Sequence, residues 1–319
     1  RMIVLSGATE LTTGELSSMI AYAMSALNSL MMLSMVLVMI NMARASSERI
    51  MELLDEEPTL KNPDAPVMTV KSGEVIFDHV GFSYQGDRTK ECLHDISLCI
   101  PAGSTLGIIG STGCCKSTLV SLIPRLYDAT EGSVSVGGTD VRAYDIHALR
   151  DQVAMVLQKN ELFSGTIKEN LRWGNENASD AEIVHACQLA QADSFIEAFP
   201  DRYDTYIEQG GTNVSGGQKQ RLSIARALSR KPEILVFDDS FSALDYKTDA
   251  KLREGLNEKL GDTTKIIVAQ RISTIRHADK IIVLDRGEAV GMGTHEELMK
   301  NCDVYKEIAL SQLSAAELA

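Results

Sequence analysis

The sequence predicts an α/β domain organised around a phosphate-binding loop, preceded by a transmembrane α-helical segment. Three observations carry this expectation. The stretch Gly110-Ser111-Thr112-Gly113-Cys114-Cys115-Lys116-Ser117-Thr118 follows the apolar run Thr105-Leu106-Gly107-Ile108-Ile109 and precedes the helical pattern Leu119-Val120-Ser121-Leu122-Ile123. Apolar strand-like runs alternate with helical patterns beyond it, as in an α/β core. Residues 16–43 form a run of 28 without a charge, where ~20 suffice for a helix to cross a bilayer.

In a strand, loop and helix setting, glycines let backbone N–H groups wrap a phosphate and the helix N-terminus adds its positive end. Lys116 then reaches the terminal phosphates, and the Ser117 hydroxyl can ligate magnesium. A glycine- and serine-rich turn is the plainer alternative, but it leaves Lys116-Ser117 unexplained. Cys115 breaks the pattern, which wants glycine immediately before the lysine; a side chain there crowds the approach of backbone and phosphate. A helix N-terminus also stabilises a thiolate, so Cys114 and Cys115 are both expected to be reactive.

The chain has 319 residues, 44% of them hydrophobic, enough for one large core and a further segment. Its 31 basic and 44 acidic residues give a net charge of −13, which argues against nucleic acid as a partner, since neutralising phosphates needs clustered Lys and Arg. The six cysteines show no CxxC pair and no zinc-finger spacing, so they read as cytosolic thiols. The opening Arg1-Met2-Ile3-Val4-Leu5, without an initiator methionine, reads as a truncated start.

Within the uncharged run, Ser25, Asn28, Ser29, Ser34 and Asn41 keep open the alternative of a buried helix in a soluble protein. Glu10 and Glu15 precede the run and Arg44 and Arg49 follow it, so the positive-inside rule puts the C-terminal side in the cytoplasm. Seven methionines offer either a pliable binding wall or ordinary packing. A lone span implies partner helices. The helical pattern continues past Arg44 until Asp55-Glu56-Glu57-Pro58 stops it. The expected division is a membrane segment over 1–57, a linker over 58–73 carrying Pro58, Pro63 and Pro66, and a cytosolic domain over 74–319.

Early in that domain, Glu74-Val75-Ile76-Phe77-Asp78-His79-Val80 reads as a strand leading to Tyr84, a core tyrosine or a ring that stacks on a base. Val153-Ala154-Met155-Val156-Leu157 delivers Gln158 at a strand end, well placed to meet magnesium or an attacking water. Ser215-Gly216-Gly217-Gln218 opens a helix as a second anion site; a plain helix cap explains Ser215 but not the rest. Asp238 ends the buried strand Glu233-Ile234-Leu235-Val236-Phe237 and suits magnesium held through water. Asp239 follows directly, then Ser242-Ala243-Leu244-Asp245, a helix over 247–260, and the strand Lys265-Ile266-Ile267-Val268-Ala269 ending at Gln270.

Phosphate loop, strand-end glutamine, SGGQ helix, acidic strand end and SALD, in this order, resemble the P-loop NTPase domain of ABC transporters over residues 74–310. The resemblance implies ATP and Mg2+ as cofactors. It makes Tyr84 the adenine-stacking ring and 110–118, with Gly110, Gly113, Cys115, Lys116, Ser117 and Thr118, the Walker A motif. Gln158 becomes the Q-loop residue, Ser215, Gly216, Gly217 and Gln218 the signature, and Asp238 the Walker B aspartate, with Ser117, Gln158 and Asp238 around the metal. In such proteins ATP is sandwiched between the Walker A of one domain and the signature of another. The apolar run resembles the last transmembrane helix of an exporter half-transporter, which implies a multi-pass protein of the cell membrane, surrounded by lipid, with a cytoplasmic nucleotide-binding domain.

Two departures fall on the catalytic positions. Asp239 stands where the family has glutamate, one methylene longer, and Gln270 stands where it has histidine, so no acid or base is available there. A shift of about 1 Å in a catalytic group can cost on the order of 100-fold in rate. Paired with a signature intact apart from Val214, this resembles the degenerate-site subunit of a heterodimeric multidrug-type exporter, driving export of a small molecule, lipid or peptide by ATP hydrolysis at a site completed by a second half-transporter. Two alternatives stay open: an ATP-binding regulatory or structural subunit with negligible hydrolysis, and a slow homodimeric exporter.

Overall fold

The computed structural model describes residues 12–312, in two compact units, Arg1–Lys61 and Asn62–Ala319. Glu10 and the opening residues 1–5 lie outside the described residues. In the first unit, Thr13–Leu54 is one helix of 42 residues, about 63 Å at 1.5 Å per residue. Thr12 caps it in a reciprocal box with Glu15: Glu15 N donates to Thr12 Oγ1 at 3.4 Å and Thr12 N to Glu15 Oε2 at 2.9 Å. The serines within it are satisfied locally, since Ser29 Oγ donates to Ser25 O at 2.9 Å and Ser34 Oγ to Leu30 O at 3.0 Å. These hydroxyls therefore need no partner from outside the helix, which removes much of their cost in an apolar medium. The helix is long and apolar enough to cross a membrane, with a mean hydropathy of 2.0 over its most apolar stretch, and it has no buried residue.

The second unit contains β1 (Val75–Phe82), β2 (Leu93–Ile100), β3 (Thr105–Gly110), β4 (Glu131–Val136), β5 (Thr139–Asp140) and β6 (Val153–Val156). It continues with β7 (Gly165–Thr166), β8 (Tyr206–Ile207), β9 (Ile234–Asp238), β10 (Thr264–Val268), β11 (Lys280–Asp285) and β12 (Glu288–Gly293). An antiparallel sheet has the order β2-β1-β4-β5, and a six-stranded sheet the order β12-β11-β3-β10-β9-β6, parallel except for β12. Every residue of β9 and β10 is buried, and continuous apolar runs are what strands covered on both faces require. Alternate residues serve two cores. Ile234, Val236, Ile266 and Val268 pack with β1, β2 and the helix Lys116–Ser121, whereas Leu235, Phe237 and Ile267 pack with the helix Gly216–Leu228.

Parallel pairing aligns Val268 with both Ile108 and Asp238, and Val156 with Phe237. The C-terminal ends of β3, β6, β9 and β10 thus share one edge, where a parallel sheet gathers its polar residues.

Residues 62–73, read from their prolines as linker, are bound to the second unit. Asn62 Oδ1 accepts from Ile146 N at 3.0 Å, Val67 N donates to Ala143 O at 2.9 Å, and Asp145 N donates to Val67 O at 3.0 Å. Gly73 packs so closely that an added Cβ would stand 2.7 Å from Glu233 O. Its carbonyl accepts from Thr264 Oγ1 at 2.6 Å, and the same fully buried hydroxyl accepts from Gly103 N at 3.0 Å. Thr264→Val keeps the shape and strands both backbone groups. It should cost about 2–3 kcal/mol and lower Tm by roughly 4–10 °C, read by calorimetric melting; an unchanged Tm would remove Thr264 as the tie.

Candidate nucleotide site

β3 enters the loop at Gly110, where an added Cβ would lie 2.0 Å from Leu284 O and 2.7 Å from Cys114 Sγ, so no larger residue fits. Gly113 has φ 85°, with no heavy atom within 4 Å of where a Cβ would stand, and presents bare backbone to the outside. Cys115 precedes the helix Lys116–Ser121 at φ 67° and ψ 27°. This is the left-handed region, where a non-glycine residue costs about 1–2 kcal/mol. The departure at 115 is therefore a backbone strain as well as a side chain in the loop. Lys116 Nζ donates to Gly110 O and Ser111 O, both at 2.8 Å, which holds the ammonium over the loop.

The expectation that both loop thiols are reactive needs correcting. Cys114 is 2% exposed and packed among the side chains of β1, β2 and the loop helix, so reagents do not reach it. Cys115 is only partly buried.

Ser117 Oγ donates to Asp238 Oδ1 at 2.8 Å and so joins the loop to β9. Burial raises the Asp238 carboxyl above the usual carboxylate range, against the Ser117 hydrogen bond and the Lys116 charge. Asp239 takes φ 49°, its N–H donating to Val268 O at 3.0 Å. That bend turns its side chain between the neighbouring strand ends: Asp239 Oδ2 accepts from Gln158 Nε2 at 3.0 Å and Gln270 Nε2 at 2.6 Å. Burial, with Asp238 beside it, raises the Asp239 carboxyl too, and the two amides oppose this. Three residues far apart in the chain thus meet on one oxygen.

Tyr84 is 58% exposed, so the core alternative fails. Its hydroxyl meets Thr118 Oγ1 at 2.9 Å, and its ring stands edge-on to Phe82 and Tyr127, at 4.9 and 5.2 Å between centroids. Thr118 thus fixes the aromatic ring relative to the phosphate loop.

Among the described residues, no hydrogen bond connects 215–218 to this cluster. Ser215 caps the helix Gly216–Leu228, with Gln218 N donating to Ser215 Oγ at 3.3 Å and Ser215 N to Gln218 Oε1 at 2.8 Å. Capping therefore accounts for Gln218 as well as Ser215. It leaves the glycines: a Cβ on Gly216 would meet nothing within 4 Å, and one on Gly217 only Ala243 O at 3.4 Å. Sequence reasoning missed Ser240, fully buried, whose hydroxyl ties β9 to β6 through Val156 O at 2.7 Å. It also missed Asn160, which donates to Gln220 inside the Gly216–Leu228 helix at 2.5 Å. A lone serine or asparagine carries no local pattern that marks such a tie.

The ABC transporter family profile matches residues 93–242. The second unit is an ABC-type nucleotide-binding domain. An uncharacterized ABC transporter ATP-binding protein of Mycobacterium tuberculosis is 44% identical to the chain over 314 residues, 96% of this chain and 53% of that protein. The Bacillus subtilis protein YgaD, named as a candidate multidrug export ATP-binding/permease protein, is 42% identical over 83% of this chain and 46% of its own. A bacterial Atm1-family ABC exporter solved with ATP bound superimposes with a TM-score of 0.81 at 35% identity, over 95% of this chain and 53% of that one. The chain spans about half the length of the curated relatives it matches.

Two outcomes test the ABC domain's site. Cys115→Gly relieves the left-handed strain but adds unfolded-chain freedom of ~0.4–1 kcal/mol, so melting should change little while nucleotide affinity rises, read by equilibrium binding; a fall in affinity would count against crowding by the side chain. A carboxyl raised in the folded state weakens folding as pH climbs through the interval above its ordinary value, because the unfolded chain releases that proton first. Asp239→Asn should therefore be more stable than the parent at pH 7, with the gap closing as pH falls towards 4 in denaturant titrations.

Proposed function

We propose that this chain is one half of an ATP-driven ABC exporter of the cell membrane, with its ABC domain in the cytoplasm. In this reading its own Walker site is degenerate, and its signature end completes the hydrolytic site of a different, partner half-transporter. ABC domains bind ATP, generally with Mg2+, and ABC exporters act as dimers. The helix Thr13–Leu54 would be the last span of a multi-pass membrane domain in contact with lipid, and the cargo a small molecule, lipid or peptide.

The observation that carries this reading is the engagement of Asp239. Its Oδ2 accepts from the amides of Gln158 and Gln270, which pins this shorter carboxylate between the strand ends, whereas a general base must bring an oxygen within ~2.6–3.2 Å of the proton it removes. Residue 270 adds no titratable group. Binding residues remain: the Ser117 hydroxyl and Asp238 carboxylate are the hard oxygen donors that suit Mg2+, Lys116 and the loop N–H groups would hold phosphates, and Tyr84 would stack on the base. When bound, Mg2+ neutralises charge on the phosphate oxygens. At the other end, bare Gly216 and Gly217 leave helix N–H groups open to a phosphate held by a partner.

Steady-state ATPase of the assembled complex in membranes tests this. Gly217→Leu blocks the signature without touching the cap, whereas Ser215→Ala would also cost about 1 kcal/mol of helix stability. Loss of donors aimed at developing charge is expected to cost 100-fold or more, while Lys116→Ala, at the slow site, should remove only part of the activity. A complex damaged more by Lys116→Ala than by Gly217→Leu overturns the assignment. Asp239→Glu with Gln270→His should add turnover at this chain's own site.

A further inference from the structure

We propose that Gln312, at the end of the helix Asp303–Gln312, is a positioning residue of the nucleotide site. Its amide clasps the chain on both sides of Arg271, keeps Gln270 on the Asp239 carboxylate, and so favours a nucleoside triphosphate over a diphosphate. The clasp stands by itself; the preference rests on the nucleotide reading above. The stretch after β10 has little of its own to hold it. The helix Ile272–Ile275 is one turn long, and Arg271 at its N-cap makes no side-chain capping bond. The Ile272 N–H is among the donors that such a helix leaves without an internal partner. Gln312 serves it from 40 residues away: Ile272 N donates to Gln312 Oε1 at 3.0 Å, and Gln312 Nε2 donates to Gln270 O at 2.8 Å. One donor and one acceptor fix which way round the amide sits.

Gln312 is itself anchored. Tyr305 and Ala309 precede it by seven and three residues, on one face of their helix, and both are fully buried in the same core as Ile272 and Ile275. Tyr305 Oη meets His295 Nδ1 at 2.7 Å, which fastens this helix to the helix His295–Asn301. The clasp therefore closes on a loop from a rigid support. What it holds is the residue that donates to Asp239 Oδ2 at 2.6 Å. The Lys116 charge is felt at Asp239, and Lys116 is the group that reaches the terminal phosphates. Asp239 and Gln270 thus stand towards the phosphate that ATP has and ADP lacks. A Gln270 amide held on the carboxylate offsets its negative charge; once residue 270 drifts, the carboxylate faces that phosphate with one donor fewer, and like charges repel.

The full chain in membranes tests this in two independent readouts, amide hydrogen exchange by mass spectrometry and equilibrium binding of ATP and ADP. Gln312→Ala, and Gln312→Asn with the same amide on a shorter arm, should speed exchange of the Ile272 N–H about fivefold, as loss of one hydrogen bond does, with β9 and β10 as protected as before. ATP affinity should fall about fivefold relative to ADP. Gln312→Glu keeps an acceptor for Ile272 N but sets a carboxylate against Gln270 O, so Ile272 should stay protected while the preference for ATP is lost. Unchanged Ile272 exchange in Gln312→Ala overturns the clasp. Protection lost throughout β9 and β10 makes Gln312 a packing residue and overturns the positioning role. Equal falls in ATP and ADP affinity, or Gln312→Glu binding ATP like the parent, overturn the preference. If the parent binds neither nucleotide, the nucleotide reading fails by itself, and Ile272 exchange still decides the clasp.

Discussion

The hydrogen bond from Ser117 Oγ to Asp238 Oδ1 joins a surface loop to a fully buried strand of the sheet, and the geometry of the site descends from that joint. β9 is immobilised by its neighbours β6 and β10, so the first turn of the loop helix inherits a fixed position. One residue on, the left-handed conformation of Asp239 turns the chain under the Val268 carbonyl and presents its carboxylate to the ends of both flanking strands. Register does the rest: with the strand ends level, Gln158 and Gln270 arrive from opposite sides.

The electrostatic consequence is a pair of adjacent carboxylates, both raised by burial and both opposed mainly by neutral donors, with Lys116 as the nearby cation. Charge at this edge is undercompensated by the protein itself. In the proposed reading, a cation held here would meet carboxylates whose desolvation has already been met during folding.

Much of this was legible because buried parallel strands are written as unbroken apolar runs, and the residues that end them fall at fixed places. Gly110, Gln158, Asp238 and Gln270 could be placed at strand ends on that ground alone. What escaped was set by partners distant in sequence. Pro58, Pro63 and Pro66 suggest a tether, yet Asn62 finds a partner 84 residues away. Cys114 and Cys115 are neighbours in one loop, but Cys114 is buried in the core while Cys115, in the left-handed conformation, is only partly buried. Gln218 has a residue type and place that fit a phosphate contact, and the fold adds a local role that its position did not announce, its amide oxygen accepting from the Ser215 N–H. The strain at Cys115 is likewise a property of φ, which composition does not reveal.

The attachment of Asn62 has a mechanical meaning. Its amide grips Asp145 and Ile146 at the start of the helix Ile146–Gln152. That helix passes without a loop into β6, and Gln158 stands two residues beyond the strand. A tug on the chain at Asn62 is thus loaded onto a stiff rod whose far end bears on the Asp239 carboxylate.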